Sequence, residues 1–118
     1  GCTFVVKPSP ETPLEALVLA ECAEEAGLPA GVLNVVPADR EAGDVLIRHP
    51  CIDKVSFTGS TEAGRHIGSV CAERVARCSL ELGGKSASII CDDADLATAL
   101  PALAPVAMPF SGQICFSQ

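Results

Sequence analysis

Apolar residues along this chain follow two spacings in turn: short continuous runs, and longer segments with a helical period. The run TFVV at 3–6 stops at a lysine-proline pair and predicts a buried strand. A helix is predicted directly afterwards, with Thr12 as its N-cap, Pro13 in its first turn, Glu15 completing a capping box and Gly27 ending it.

The same alternation continues from residue 31 to residue 83. Strands are predicted at 31–37, 52–59 and 77–83, and helices at 41–50 and 60–76. Strands that alternate with helices form a parallel sheet with right-handed crossovers, so the predicted fold class is α/β.

A second region begins after the Gly83-Gly84 pair. Residues 86–91, SASIIC, predict another strand, and a further helix is predicted to open near Asp95. Three prolines spaced four residues apart follow at 101, 105 and 109. Each removes a backbone hydrogen bond from a helix interior at a cost of about 3 kcal/mol. We therefore expect this helix to end near Leu100 or to be broken.

Composition and charge narrow the classes of partner. The 118 residues are 48% hydrophobic with four Phe and no Trp or Tyr, which favours an aliphatic core. A formal net charge of −7 leaves no basic surface for nucleic acid. The apolar runs are shorter than the roughly 20 residues that span a bilayer, and the first residues lack the order of a signal peptide. We expect a cytoplasmic protein with neither nucleic-acid nor membrane partners.

Seven cysteines are present, and no two form a C-x-x-C pair. This spacing argues against a disulfide framework or a zinc site, so no metal is predicted and most of the thiols are expected to be small apolar fillers.

Three segments combine residue types that carry chemistry. FTGSTEAG at 57–64 places glycines and hydroxyls where a strand turns into a helix, which suits a phosphate but also describes an ordinary capped turn. Glu81 lies in an apolar strand ahead of Gly-Gly, where partial desolvation favours a general base, although a solvated edge glutamate has the same pattern. Cys115 in GQIC is a candidate nucleophile, although a single intracellular cysteine is more often inert.

Taken together and in order, these segments resemble the central part of the NAD(P)-dependent aldehyde dehydrogenase superfamily. The resemblance covers nearly the whole chain through VVKPSPETP, GLPAGVLNVVP, DKVSFTGSTEAG, LELGGKSASII and GQIC. It implies a Rossmann-like sheet flanked by helices, with residues 1–83 as part of an NAD(P)-binding domain and 84–118 as the start of a second, catalytic α/β domain.

The resemblance also implies roles for individual residues. Cys115 would be the nucleophile that captures an aldehyde, and Glu81 the base that activates water to hydrolyse the resulting thioester. Lys7 would bind the adenosine ribose. The remaining coenzyme contacts implied are Gly59, Ser60, Thr61, Gly64 and Leu82. The parent enzyme would be a homo-oligomer acting on a small-molecule aldehyde.

Several positions depart from the family pattern. Pro10 stands where many members have a ribose-binding glutamate, with Glu11 one residue later. Arg40 offers an alternative contact, to the 2′-phosphate of NADP, which leaves the choice of coenzyme open. The coenzyme is therefore NAD or NADP, with NAD slightly favoured. Because family enzymes are several times longer, we expect this chain to be a fragment without turnover of its own.

Two other functions stay open at this point. One is a non-catalytic nucleotide-binding or interaction module. The other is a dehydrogenase that passes the acyl group to coenzyme A, against which Glu81 argues.

Overall fold

The chain forms two compact units, Gly1–Ile52 and a second that begins at Asp53. The structure, a computed structural model, describes residues 1–117. The first unit contains β1 (Phe4–Val6), α1 (Leu14–Glu25), β2 (Leu33–Val35) and α2 (Arg40–Arg48). The second contains β3 (Lys54–Gly59), α3 (Thr61–Glu73), β4 (Arg77–Leu82), α4 (Leu96–Ala107) and a 3₁₀ turn (Pro109–Gly112).

Each unit is built around one parallel pair of strands, which confirms the α/β fold class. In the first unit β1 pairs with β2, and Phe4 lies opposite Leu33. In the second β3 pairs with β4, and Lys54 lies opposite Arg77. A helix connects the strands of each pair, as parallel neighbours require.

The second unit holds the best-buried residues. The buried face of α3 consists of Gly64, Ile67, Val70 and Cys71, spaced as one side of a helix, and Val55 of β3 is buried with them. Burying an aliphatic side chain fully stabilises a fold by about 1.5–3 kcal/mol, so Ile67 and Val70 anchor α3. In Gly1–Ile52 no side chain reaches this degree of burial.

The beginning of α1 differs from the prediction. Pro13, not Thr12, is the N-cap, and no side-chain cap is formed, so the predicted capping box is wrong. The N–H of Thr12 bonds to the carbonyl of Ser9, and the carbonyl of Pro13 accepts the first helical bond from Leu17. Thr12 therefore belongs to the preceding turn. The predicted end is confirmed, because Gly27 follows the helix with a positive φ of 75°.

Two predictions after Gly84 are wrong. Residues 86–91 form no strand, because none of residues 1–117 offers them a neighbouring ladder of hydrogen bonds. Helix α4 continues to Ala107 through Pro101 and Pro105. Both prolines lie on the exposed side of the helix, where water can bond the carbonyls that they leave without an amide donor.

Candidate active site

The carboxyl ends of β3 and β4 lie side by side. Thr58 is opposite Glu81, and Gly59 is opposite Leu82. This register follows from parallel pairing, which brings the ends of both strands to one edge. The residues that the sequence singled out in two separate segments therefore meet in the second unit.

Helix α3 starts immediately beyond Gly59. The hydroxyl of Ser60 accepts a hydrogen bond from the N–H of Ala63 at 3.2 Å, which confirms the predicted helix start. Thr61 opens the helix. The positive end of the helix dipole thus lies at the edge of the parallel pair, a position suited to a phosphate group.

Gly64 serves the packing of α3 on β4. A Cβ added at this position would lie 2.5 Å from Cδ2 of Leu82 and 2.7 Å from its Cδ1. Leu82 occupies the space that a larger residue at position 64 would need. Contact with Leu82 therefore accounts for this glycine without any ligand.

Cys115 is presented by a reversal of the chain after α4. Phe110, Ser111 and Gly112 all have positive φ angles, of 49°, 60° and 75°. The N–H of Gln113 bonds back to the carbonyl of Phe110 at 3.1 Å and closes the turn. Non-glycine residues rarely adopt this conformation, so Phe110 and Ser111 are strained. They stand shortly before residues 113–115, the cysteine loop.

One cavity brings the two predicted catalytic residues together. It has a volume of about 450 Å³ and lies entirely within the second unit. Its wall combines the ends of β3 and β4, the glycine-rich segment after β4 and the cysteine loop: Thr58, Gly59, Glu81, Leu82, Gly83, Gly84, Lys85, Gly112, Gln113, Ile114 and Cys115. Among residues 1–117, this wall includes Gly59 and Leu82 but not Ser60, Thr61 or Gly64.

Both reactive groups are open to solvent. Cys115 is an exposed free thiol, and Glu81 is exposed, which agrees with the solvated edge glutamate and not with the partly desolvated carboxylate that the sequence left open. The reason lies in the segment after β4, because no helix or strand forms between Gly83 and Asp95 to cover the carboxylate. Water and small molecules in solution can therefore reach both side chains.

Lys7 lies in the first unit, where it joins two loops. Its Nζ donates to the carbonyl of Pro8 at 2.9 Å and to that of Ala38 at 3.0 Å. Its stem crosses Gly43, at which an added Cβ would lie 3.1 Å from the lysine Cε. An ammonium group has three donors, and these two bonds within the described residues use two of them. A smaller cavity of about 190 Å³ adjoins it, with mostly apolar walls.

The segment that carries Pro10 also contains a hydrogen bond between a hydroxyl and a carboxylate. The hydroxyl of Ser9 donates to the carboxylate of Glu11. This bond, then a backbone hydrogen bond to the same carboxylate, and last the charges of Lys7 and Arg40 lower the pKa of Glu11. Glu11 is therefore an ionised acceptor in the neighbourhood of Lys7.

Sequence reasoning missed part of the cavity wall. Thr58, Lys85 and Gln113 were not among the selected site residues. Thr58 is adjacent to Gly59 in sequence and opposite Glu81 in register, whereas Lys85 and Gln113 lie close in sequence to Leu82 and Cys115. The pairing of β3 with β4 was the available signal, since it sets Thr58 against Glu81. No group of three or more His, Cys, Asp or Glu side chains within residues 1–117 is arranged to hold a metal ion.

Comparison with known proteins decides the family. The model of the aldehyde dehydrogenase family matches residues 1–118. The chain belongs to this family. Geranial dehydrogenase of Castellaniella defragrans is 54% identical over 99% of this chain and 24% of its own length.

Solved structures of aldehyde dehydrogenases share the fold of the chain. The Mycobacterium tuberculosis aldehyde dehydrogenase complexed with NAD+ has a TM-score of 0.94 and 51% identity, covering 100% of this chain and 24% of its own. An E. coli NADP-dependent enzyme has a TM-score of 0.92 and 46% identity, covering 98% and 24%. The chain thus spans about a quarter of the length of the proteins it matches, and its likeness to them confirms a Rossmann-like α/β fold.

Proposed function

We propose that this protein takes part in the oxidation of an aldehyde to a carboxylic acid with NAD or NADP. The observation that carries the proposal is the single cavity whose wall contains both Cys115 and Glu81. A thiol and a carboxylate at one open site suit covalent capture followed by hydrolysis. Membership of the aldehyde dehydrogenase family supports the same reaction.

Cys115 is the nucleophile in this proposal. Its thiolate attacks the carbonyl carbon of the aldehyde and forms a thiohemiacetal. The coenzyme, when bound, supplies the hydride acceptor. The chain's own part is to hold the carbonyl carbon beside the sulfur atom, and in this proposal the backbone N–H of Cys115 donates to the developing oxyanion.

Glu81 acts in the second half of the reaction. Its carboxylate takes a proton from water, the water oxygen attacks the thioester carbonyl, and the Cys115 sulfur leaves as the thiolate. The exposure of Glu81 supports this role, because the attacking water reaches it from solvent. Hydrolysis at this position favours a carboxylic acid product over transfer to coenzyme A.

The coenzyme contacts are proposed in each unit by itself. The edge of the second unit suits the pyrophosphate through Gly59, Ser60, Thr61 and the N-terminal turn of α3, with Leu82 beside it and Gly64 supporting the turn from below. A Cβ built on Gly83 or Gly84 meets nothing within 4 Å, so the adjoining backbone is open to a bound group. In the first unit the remaining donor of Lys7 suits a ribose hydroxyl, with NAD slightly favoured over NADP.

The residue ranges and the setting complete the proposal. Residues 1–83 contribute to the coenzyme domain and 84–118 to the catalytic domain of a cytoplasmic homo-oligomer that binds neither nucleic acid nor membranes. Among residues 1–117 no helix has the length and apolarity to cross a bilayer. Exposed apolar side chains such as Leu14, Ile89 and Phe110 support association with further protein surface.

Coenzyme reduction tests the proposal. The chain and the longest in-frame reading frame that contains it are each assayed for NADH and NADPH formation with a panel of aldehydes. We expect the longer form to be active and Cys115→Ala to abolish its activity. Cys91→Ala is the matched control, because Cys91 is also an exposed thiol of the second unit but does not line the cavity.

Glu81→Gln separates the two halves of the reaction. We expect a burst of coenzyme reduction that stops after one turnover per site, since the thioester forms but is not hydrolysed. An inactive but folded longer form would contradict the enzyme function and favour a nucleotide-binding module. Turnover that requires coenzyme A would contradict the hydrolytic role of Glu81.

A further inference from the structure

Two cysteines other than Cys115 lie where α3 packs on β4. Leu82 contacts Gly64, and Cδ1 of Leu80 lies 3.6 Å from the position of a Cβ on Gly68. Alternate residues of β4 therefore face α3. Moving back by two residues along β4 corresponds to moving forward by about one turn along α3. The next residue in this series on the strand is Cys78, and the next on the helix face is Cys71.

The two thiols are in contact. Cys78 is the register partner of the buried Val55, so its side chain lies on the face of β4 that meets α3, within hydrogen-bonding reach of the Cys71 thiol. Cys71 is only 1% exposed, whereas Cys78 is open to solvent. Burial, and then the neighbouring Cys78, raise the pKa of Cys71, against which the charge of Arg74 acts weakly. Cys78 is therefore the thiol that an oxidant in solution meets first.

The connection between the cysteines is short and fixed. Helix α3 ends at Glu73 and β4 begins at Arg77. The N–H of Ala76 bonds to the carbonyl of Cys71 at 2.9 Å, and that of Val75 to the carbonyl of Ala72 at 3.1 Å. These bonds hold the turn, so the two thiols stay adjacent without a loop having to close.

We propose that Cys71 and Cys78 are a site of reversible oxidation. Hydrogen peroxide or an organic hydroperoxide is the oxidant, and the product is a disulfide between the two cysteines. The Cys78 thiolate attacks one peroxide oxygen, which breaks the O–O bond and leaves a sulfenic acid on Cys78. After proton transfer the leaving group is one water from hydrogen peroxide, or one alcohol from an organic hydroperoxide. The Cys71 sulfur, losing its proton, then attacks the Cys78 sulfur and expels hydroxide, which takes up that proton. Two thiols lose two hydrogen atoms, and hydrogen peroxide becomes two waters.

This site is separate from the proposed catalytic chemistry. Neither cysteine lines the cavity of Cys115 and Glu81 within the described chain. A small thiol such as dithiothreitol restores both cysteines by exchange.

Peptide mapping tests the proposal directly. The native, reduced full chain is treated with hydrogen peroxide, blocked with an alkylating agent and digested with trypsin. Cleavage after Arg65, Arg74, Arg77 and Lys85 places Cys71 in peptide 66–74 and Cys78 in peptide 78–85. We expect these two peptides to be joined with the loss of two hydrogen atoms, and to separate after reduction.

Control variants fix the interpretation. Cys78→Ser at the exposed position removes the joined peptide and leaves Cys71 as an alkylated thiol. Cys51→Ser, also exposed, leaves the joined peptide unchanged. A chain unfolded in urea before oxidation scatters its cross-links among the cysteines. The proposal would be overturned if Cys78 of the native chain were oxidised to a sulfinic acid while Cys71 stayed a thiol. It would also be overturned if Cys78 were cross-linked mainly to a cysteine other than Cys71.

Discussion

Val75 has a backbone conformation that its side chain disfavours. It lies between α3 and β4 with a φ of 56°, and its side chain is 92% exposed. A left-handed conformation costs an L-residue roughly 1–2 kcal/mol, and branching at Cβ adds crowding. Because so little of the side chain is buried, the position gains almost nothing from packing in return.

Replacing this residue by glycine removes the strain. Glycine adopts positive φ freely but loses about 0.5–1 kcal/mol more backbone entropy on folding. The difference between these two costs predicts that Val75→Gly stabilises the fold by roughly 0.5–1 kcal/mol. Each kcal/mol shifts Tm by about 4 °C in a domain of this size, so Tm should rise by a few degrees. Val75→Asn should stabilise it less, since asparagine tolerates this region only in part.

Urea unfolding followed by far-ultraviolet circular dichroism measures the change. The matched control is Val45→Gly, at an exposed valine within α2, where helical geometry makes glycine unfavourable and the variant should be less stable. If Val75→Gly lowered the free energy of unfolding as Val45→Gly does, backbone strain at position 75 would be refuted as the main contribution to the effect of the substitution.

Three further changes test other parts of the structure. Ser60→Ala removes the cap of α3 and should cost about 1 kcal/mol in the same unfolding assay, whereas Ser60→Asp should retain the cap. Gly64→Ala places a methyl group against Leu82 and should destabilise the fold by about 1–3 kcal/mol, with recovery in the double variant Gly64→Ala/Leu82→Ala; no recovery would argue against this contact. At Asp95, the hydrogen bond from the Thr98 hydroxyl and then that from the Ala97 N–H lower its pKa, so the cap stabilises α4 fully above the ordinary carboxyl pKa and is lost as pH falls through the lowered one. Asp95→Asn should remove that pH dependence from the helix signal, and an unchanged acid transition would contradict the assignment.

Sequence patterns predicted the strands and helices up to β4 because each is short and bounded by glycine, proline or a capping residue. They failed where the deciding partner is remote in sequence. Residues 86–91 have strand composition but no paired ladder in the described chain, and composition cannot reveal that. The prolines of α4 were judged by their intrinsic cost, although exposure of their side of the helix makes that cost tolerable.

The candidate site divides in the same way. Glu81 and Cys115 were selected as residue types in particular contexts, and the structure brings both to one cavity wall. The sequence left both a partly desolvated and a solvent-exposed Glu81 open, because the choice depends on the course of the chain after Leu82. The contact of Cys71 with Cys78 depends on the register of α3 over β4, which no local pattern contains.

The two hydrogen bonds of Lys7 affect the entropy of binding. A free lysine side chain loses rotational freedom when it engages a ligand, at a cost of about 0.5–1.5 kcal/mol. Here the carbonyls of Pro8 and Ala38 already restrict the side chain. For the coenzyme contact proposed for Lys7, much of the ordering would thus be complete in advance, and the direction of its remaining N–H would be fixed.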